Sequence, residues 1–185
     1  MNYFTLQQDP RVPEQPSVLS CPEDIAPEEF LEGKHMKVPR KPLHLKMSER
    51  SGNFRSAIIA GILPLFHNKL LEELKKLGVD NLELFPVDLE NPEGEIVQKY
   101  SLVNIIGMLD AVDQGKSELV PRAVGGRPDL KSFKIDAKKA RGHHMFRIPE
   151  VPTLVIIDEK VKAGLSAVKP PGALMRPTES YDGWG

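Results

Sequence analysis

Asn68-Lys69-Leu70-Leu71-Glu72-Glu73-Leu74-Lys75-Lys76-Leu77-Gly78, followed by Leu82-Glu83-Leu84-Phe85-Pro86-Val87-Asp88-Leu89, is the stretch that decides the fold class. In its first part Leu70, Leu71, Leu74 and Leu77 recur at helical spacing and share one face. Asn68 is of a type that caps a first turn, and Gly78 can take the left-handed conformation that ends a helix. Glu72 and Glu73 precede Lys75 and Lys76, the order that the helix dipole favours, and Glu72 stands four residues before Lys76. The second part reads as a strand, with a parity change at Leu84-Phe85 that predicts a bulge just before Pro86. Asn91-Pro92-Glu93-Gly94 then has the residues of a type I turn, so Leu82 to Leu89 and Ile96 to Ile106 are expected to pair as a hairpin at the centre of a sheet.

Upstream, Ala57 to Ile62 is apolar, and before it proline recurs at Pro10, Pro13, Pro16, Pro22, Pro27, Pro39 and Pro42. Proline removes a backbone donor and restricts its predecessor, so regular structure is expected to be sparse there. Tyr3 to Leu6 and the alternating Leu43, Leu45 and Met47 read as short strands, with one helical turn at Pro27 to Leu31. Downstream, Gly107 to Leu119 reads as helix or loop and Val120 to Asp129 as an exposed connection. Strands are expected at Leu130 to Ile135, Met145 to Ile148 and Thr153 to Ile157. Asp158 then caps a short helix carrying Val161 and Leu165, and a last strand lies near Ala173 to Arg176. Strand, helix and strand thus follow one another twice, a recurrence read as two similar packing solutions rather than a duplication. The expectation is a single α+β domain with a mostly antiparallel sheet and a few short helices. In it, residues 1–53 form a proline-rich N-terminal segment packed on the domain of residues 54–185.

The chain has 185 residues, enough to bury a core without staples. Its 40% hydrophobic and 28% charged content is that of a globular protein. With 25 basic against 26 acidic residues there is no field to neutralise a phosphate backbone, so nucleic acid is not an expected partner. Lys131, Lys134, Lys138, Lys139, Arg141 and Arg147 make one locally basic stretch, read as a solvated edge. An acidic front of Glu23, Asp24, Glu28, Glu29 and Glu32 opposes it, an asymmetry compatible with docking a charged partner. The lone Cys21 has no internal partner, the first residues lack the features of an export signal, and no apolar run is long enough to span a bilayer. A cytoplasmic protein that does not cross a membrane is expected.

Catalytic and metal motifs are weak. His143-His144 is badly spaced for chelation, because adjacent side chains diverge on either a strand or a helix. His35, His44 and His67 are isolated, and no ligand spacing completes a metal site. Asp110, Asp113 and Ser117 would share a face if helical, yet capping of backbone donors is the stronger reading of them. Gly125-Gly126-Arg127 is followed by Pro128 and a strand, unlike a phosphate loop. No cofactor is expected.

From about Phe54 onward the order of features resembles the bacterial immunity-protein family of myxobacterial-type toxin systems, immunity family eleven. The resemblance rests on Leu70 to Leu74 running into Gly78-Val79-Asp80-Asn81-Leu82-Glu83-Leu84-Phe85-Pro86-Val87, then Tyr100 to Ile106, then Leu109-Asp110 with Asp113 and Ser117. Phe146-Arg147-Ile148 and Leu154-Val155-Ile156-Ile157-Asp158 continue it. It implies an antidote that binds a cognate protein toxin, encoded by a neighbouring gene, and needs a shaped surface rather than catalytic residues. Phe30, Tyr181 and Trp184 are the candidate partner-binding anchors, taken as exposed aromatics. Two other readings compete: an enzyme using Asp110 and Asp113 with His143 or His144, and an adaptor that loads a secreted effector.

Overall fold

The structure, a computed structural model, describes residues 1–13, 15–19, 25–37, 41–48, 56–61, 63–120 and 129–183. Its strands are β1 (Tyr3–Gln8), β2 (Leu43–Lys46), β3 (Ile58–Ile59), β4 (Leu65–His67), β5 (Leu82–Glu90) and β6 (Ile96–Val97), then β7 (Tyr100–Ile105), β8 (Glu118–Val120), β9 (Asp129–Ser132), β10 (Met145–Ile148), β11 (Val151–Asp158) and β12 (Ala173–Pro177). The helices are α1 (Asn68–Lys76) and α2 (Glu159–Val168), with single 3-10 turns at Pro27–Leu31, Gln114–Lys116 and Thr178–Ser180. One sheet runs in the order β2, β5, β7, β4, β3, with β6 beside β5; a second runs β10, β11, β1, β12; β8 and β9 form a ribbon. Every pairing between these strands is antiparallel except that of β2 with β5. The fold class is α+β, as the periodicity predicts.

The apolar faces decide how the two sheets come together. Leu70, Leu71 and Leu74 of α1 and Val161 and Leu165 of α2 share one buried cluster with Phe66, Val103 and Ile105 of the first sheet and Leu6, Val155 and Ile157 of the second. Each fully buried aliphatic side chain of this kind contributes roughly 1.5–3 kcal/mol. The helices touch at Gly164, where an added Cβ would run into the side chain of Leu77. The reverse face of the first sheet buries Leu45, Phe85, Leu89 and Leu102 under Phe30, and that of the second buries Phe146, Ile148 and Ile156 under Phe133 and Tyr181.

The expected hairpin forms. Gly94 N–H donates to Asn91 O at 3.0 Å and Asn91 N–H to Glu95 O at 2.9 Å, while Asn91 Oδ1 accepts from Glu95 N at 2.7 Å. The returning strand is interrupted between β6 and β7, and Leu82 pairs with Ile105. The expected bulge at Leu84-Phe85 is absent: Leu84 faces Val103 and Phe85 faces Leu102 in continuous register. The parity change that suggested it has another cause, since Leu84 points to the helix-bearing face beyond the cover of α1 and is 44% exposed.

Helix α1 also departs from expectation at its start. His67 is the cap, its Nδ1 accepting from Lys69 N at 3.2 Å, while Asn68 is already helical and its Oδ1 accepts from Ser101 Oγ at 3.0 Å. Gly78 ends the helix with φ +90°, as expected. Residues 107–117 are a loop with one 3-10 turn and lead into β8, so Asp110 and Asp113 share no helical face. Ile62, Cys21, Glu23, Asp24, Trp184 and most of the connection between Val120 and Asp129, including Gly125 to Pro128, lie outside the described residues.

Candidate functional site

The polar side chains converge on the seam where the two sheets meet. Beyond β7 the chain crosses to β10, with Arg147 N–H donating to Gly107 O and Leu109 N–H to Arg147 O, both at 2.9 Å. Asn81 Nδ2 ties the sheets together by donating to Ile106 O at 2.5 Å and Met145 O at 2.9 Å. Gly33 O accepts from Gly107 N at 2.9 Å, and a Cβ at Gly33 would lie 2.6 Å from Met108 N, so only glycine permits this approach.

Three histidines lie along this seam, each engaged by the fold. His144 Nδ1 is 2.7 Å from Asp158 Oδ2, and the fully buried Asp158 also caps α2 by accepting from Val161 N at 2.9 Å. His143 Nδ1 is 3.1 Å from Ala140 O. His35 Nδ1 is 2.7 Å from Glu83 Oε1, and Glu83 Oε2 accepts from Met36 N and Asn104 Nδ2, each at 2.9 Å. Burial by itself would raise the pKa of Glu83, but hydrogen bonds from Met36, His35 and Asn104 outweigh it and hold the carboxyl below its usual value. An Asp–His pair is also the orienting half of a hydrolytic triad. The ring of His144 lies beside Gly78, which Lys160 Nζ also approaches.

Of the residues of the competing enzyme reading, Asp113 is engaged with its own turn, and so is Ser117 beside it. Asp113 Oδ2 pairs with Lys116 Nζ at 2.8 Å, and that hydrogen bond, first among its neighbours' effects, lowers the pKa of the carboxyl. Ser117 Oγ donates to Asp113 O at 2.6 Å and accepts from Lys134 N at 3.0 Å, a turn-bracing role. Among the described residues no group of three or more His, Cys, Asp or Glu is placed to hold a metal ion. No helix there is long and apolar enough to cross a membrane.

Two of the aromatic anchors, Phe30 and Tyr181, are not exposed as expected. Phe30 is fully buried and stacks edge-to-face on Phe85 with centroids 5.1 Å apart. Tyr181 is also buried and meets Phe133 edge-to-face at 5.6 Å. Both rings cover sheet faces that would otherwise be wet, and their large apolar area makes that burial favourable. Arg147 likewise leaves the solvated edge assigned to it: it is 1% exposed, its Nη1 donates to Pro152 O at 2.6 Å, and burial lowers its pKa to about 10.

Surface features that periodicity did not single out lie elsewhere. A groove of about 510 Å³ between α1 and the end of α2 has Val168, half exposed, with Leu70 and Pro171 on its apolar wall and Lys69 and Lys99 on its rim. His67 lines it too, and burial, then Lys69 and Lys99, lower its pKa. The His144–Asp158 contact was within reach of the sequence, because pairing Met145 to Ile148 with Thr153 to Ile157 as a hairpin sets His144 against Asp158. The arrangement as a whole is a surface braced by its own polar groups. No curated protein matches the chain. The Immunity protein family (Imm11) matches residues 7–181, which takes in both helices, the first sheet, the second sheet apart from most of β1, and most of the proline-rich beginning, so the chain belongs to the Imm11 immunity protein family.

Proposed function

We propose that this chain is an antidote that binds a cognate bacterial toxin directly and neutralises it by occupying a surface the toxin needs, without turnover. Membership of the immunity family across residues 7–181 carries the reading. It is supported by the fate of the polar groups: the carboxylates of Asp158, Glu83 and Asp113 are taken up in a helix cap, a loop clamp and a turn. A surface held in that way is pre-organised, which reduces the ordering cost of association. The toxin is a protein encoded by a neighbouring gene, and the encounter takes place in the cytoplasm. A specific complex of ordinary size would bury on the order of 1,600 Å² in total.

The test is to express the toxin domain of the neighbouring gene with and without this chain. Protection of growth is expected, and a stable complex of the purified proteins should account for it. Unchanged killing in the presence of folded protein rejects the reading. Replacing Asp110 and Asp113 together by Asn should leave protection intact; loss of protection with an intact fold and an intact complex would favour the enzyme instead.

A further inference from the structure

The turn at residues 136–142 projects an unneutralised charge cluster. Asp136 Oδ1 accepts from Lys138 N at 2.9 Å, and Asp136 O accepts from Lys139 N and Ala140 N at 3.0 Å, which winds the segment into one helical turn. Ala140 is fully buried and pins its inner side. Arg141 then takes a left-handed φ of +52°, followed by Gly142 at +78°, and His143 N–H returns to Ala140 O at 3.0 Å. An arginine in that region is disfavoured, and residues held so are concentrated at sites of recognition.

Lys138, Lys139 and Arg141 are all exposed, and no carboxylate among the described residues lies within ion-pairing distance of any of them. Their neighbours differ: Lys116, Lys131 and Lys134 are each paired, with Asp113, Glu118 and Glu179. The turn from Asp136 to Gly142 carries three basic residues against one acid, +2, in a chain whose net charge is −1, which leaves −3 for the remainder.

We propose that this turn is the docking point for an acidic surface patch of the toxin, an inference that rests on the immunity reading above. The charge pattern selects the partner class. A nucleic acid needs positive potential along a length of backbone, whereas here one compact knob of charge sits on an otherwise acidic molecule that repels a polyanion. A local group of carboxylates fits it, with Arg141 offering a planar fork to one of them and the two lysines giving point charges. The turn fixes the backbone that carries these groups, and exposed charges of this kind act chiefly on the rate of encounter.

The experiment uses the full-length chain and the neighbouring gene's toxin domain, with association rates measured at low and high salt. For K138E/K139E/R141E, the rate at low salt should fall on the order of tenfold or more, and its salt dependence should flatten. Arg141→Gly removes one charge and relieves the left-handed backbone, so it should fold at least as stably while associating more slowly; an unchanged rate would make Arg141 merely structural and overturn its assignment. A folded triple variant that associates and protects like the wild type overturns the docking site and leaves the immunity reading standing. A wild type that fails to protect sinks both. Tight, salt-sensitive binding of a short DNA duplex by the wild type, lost in the triple variant, would reassign the knob to nucleic acid and overturn the proposal.

Discussion

The units β4–α1–β5 and β11–α2–β12 follow one topology and differ in the strand that completes each. In both, the chain leaves a sheet, crosses by a helix and returns parallel to its start with one strand's width left open between. In the first unit the gap is filled by β7, which arrives through the Asn91 turn soon after β5. In the second it is filled by β1, from the far end of the chain, with Phe4 set between Ile157 and Pro177. The first sheet can therefore close at its centre through local contacts, whereas the second cannot close until the N-terminus has been captured, with the loop-closure entropy that this involves. Two similar stretches of sequence thus give one sheet that is nearly self-sufficient and one that depends on a distant segment.

The sharpest way to break the comparison is to remove residues 1–9. Hydrogen exchange should then show β11 and β12 losing protection while the β5–β7 hairpin keeps most of its own, with a stability loss of more than about 4 kcal/mol. Equal collapse of both sheets would refute the asymmetry. Gly33→Ala attacks the seam between the units, because φ is +68° and the new Cβ would press on the backbone at Met108. A loss of about 2–3 kcal/mol is expected from denaturant midpoints, and a neutral result would mean that the seam is loose.

The helix caps sharpen the comparison further. Asp158→Ala removes a fully buried carboxylate with two partners and should cost about 2 kcal/mol; His67→Ala removes a longer, half-exposed cap bond and should cost about 0.5–1 kcal/mol. Thermal melts of the two variants in parallel give the ranking, and a reversed order would contradict it. The smallest effect is one of pH. Burial, with Lys69 and Lys99, holds the pKa of folded His67 below its ordinary value of about 6.5. The unfolded chain then binds the proton more readily, so this contribution is present above about pH 6.5 and is lost as the pH falls through that value toward the folded pKa. His67→Gln should flatten that part of the stability profile, and an unaltered profile would place the titration elsewhere.

Legibility followed distance along the chain. The leucine face of α1, the Asn91 turn and the Asp158 cap are local, each settled within a few residues, and all three were readable. The cap of α1 was misplaced by one position, because His67 and Asn68 can both accept and only the register against Ser101 and Lys99 chooses between them. The exposure of two anchors was misread for a related reason: an isolated Phe30 or Tyr181 in a proline-rich or terminal segment looks the same whether it faces water or a sheet. The charged turn at Lys138 to Arg141 was visible as composition, while its left-handed arginine and its lack of partners were not.

By itself, then, the order of residues determined the α+β class, the central hairpin and the two helices, since these follow from periodicity and turn chemistry over short spans. Only the tertiary structure decided that β1 completes the second sheet, that Arg147 is interior, and which rings roof the sheets. An apolar strand carries no label for its partner: pairing partners far apart in sequence are selected by the joint burial of faces, a property of the assembled core and not of any one segment.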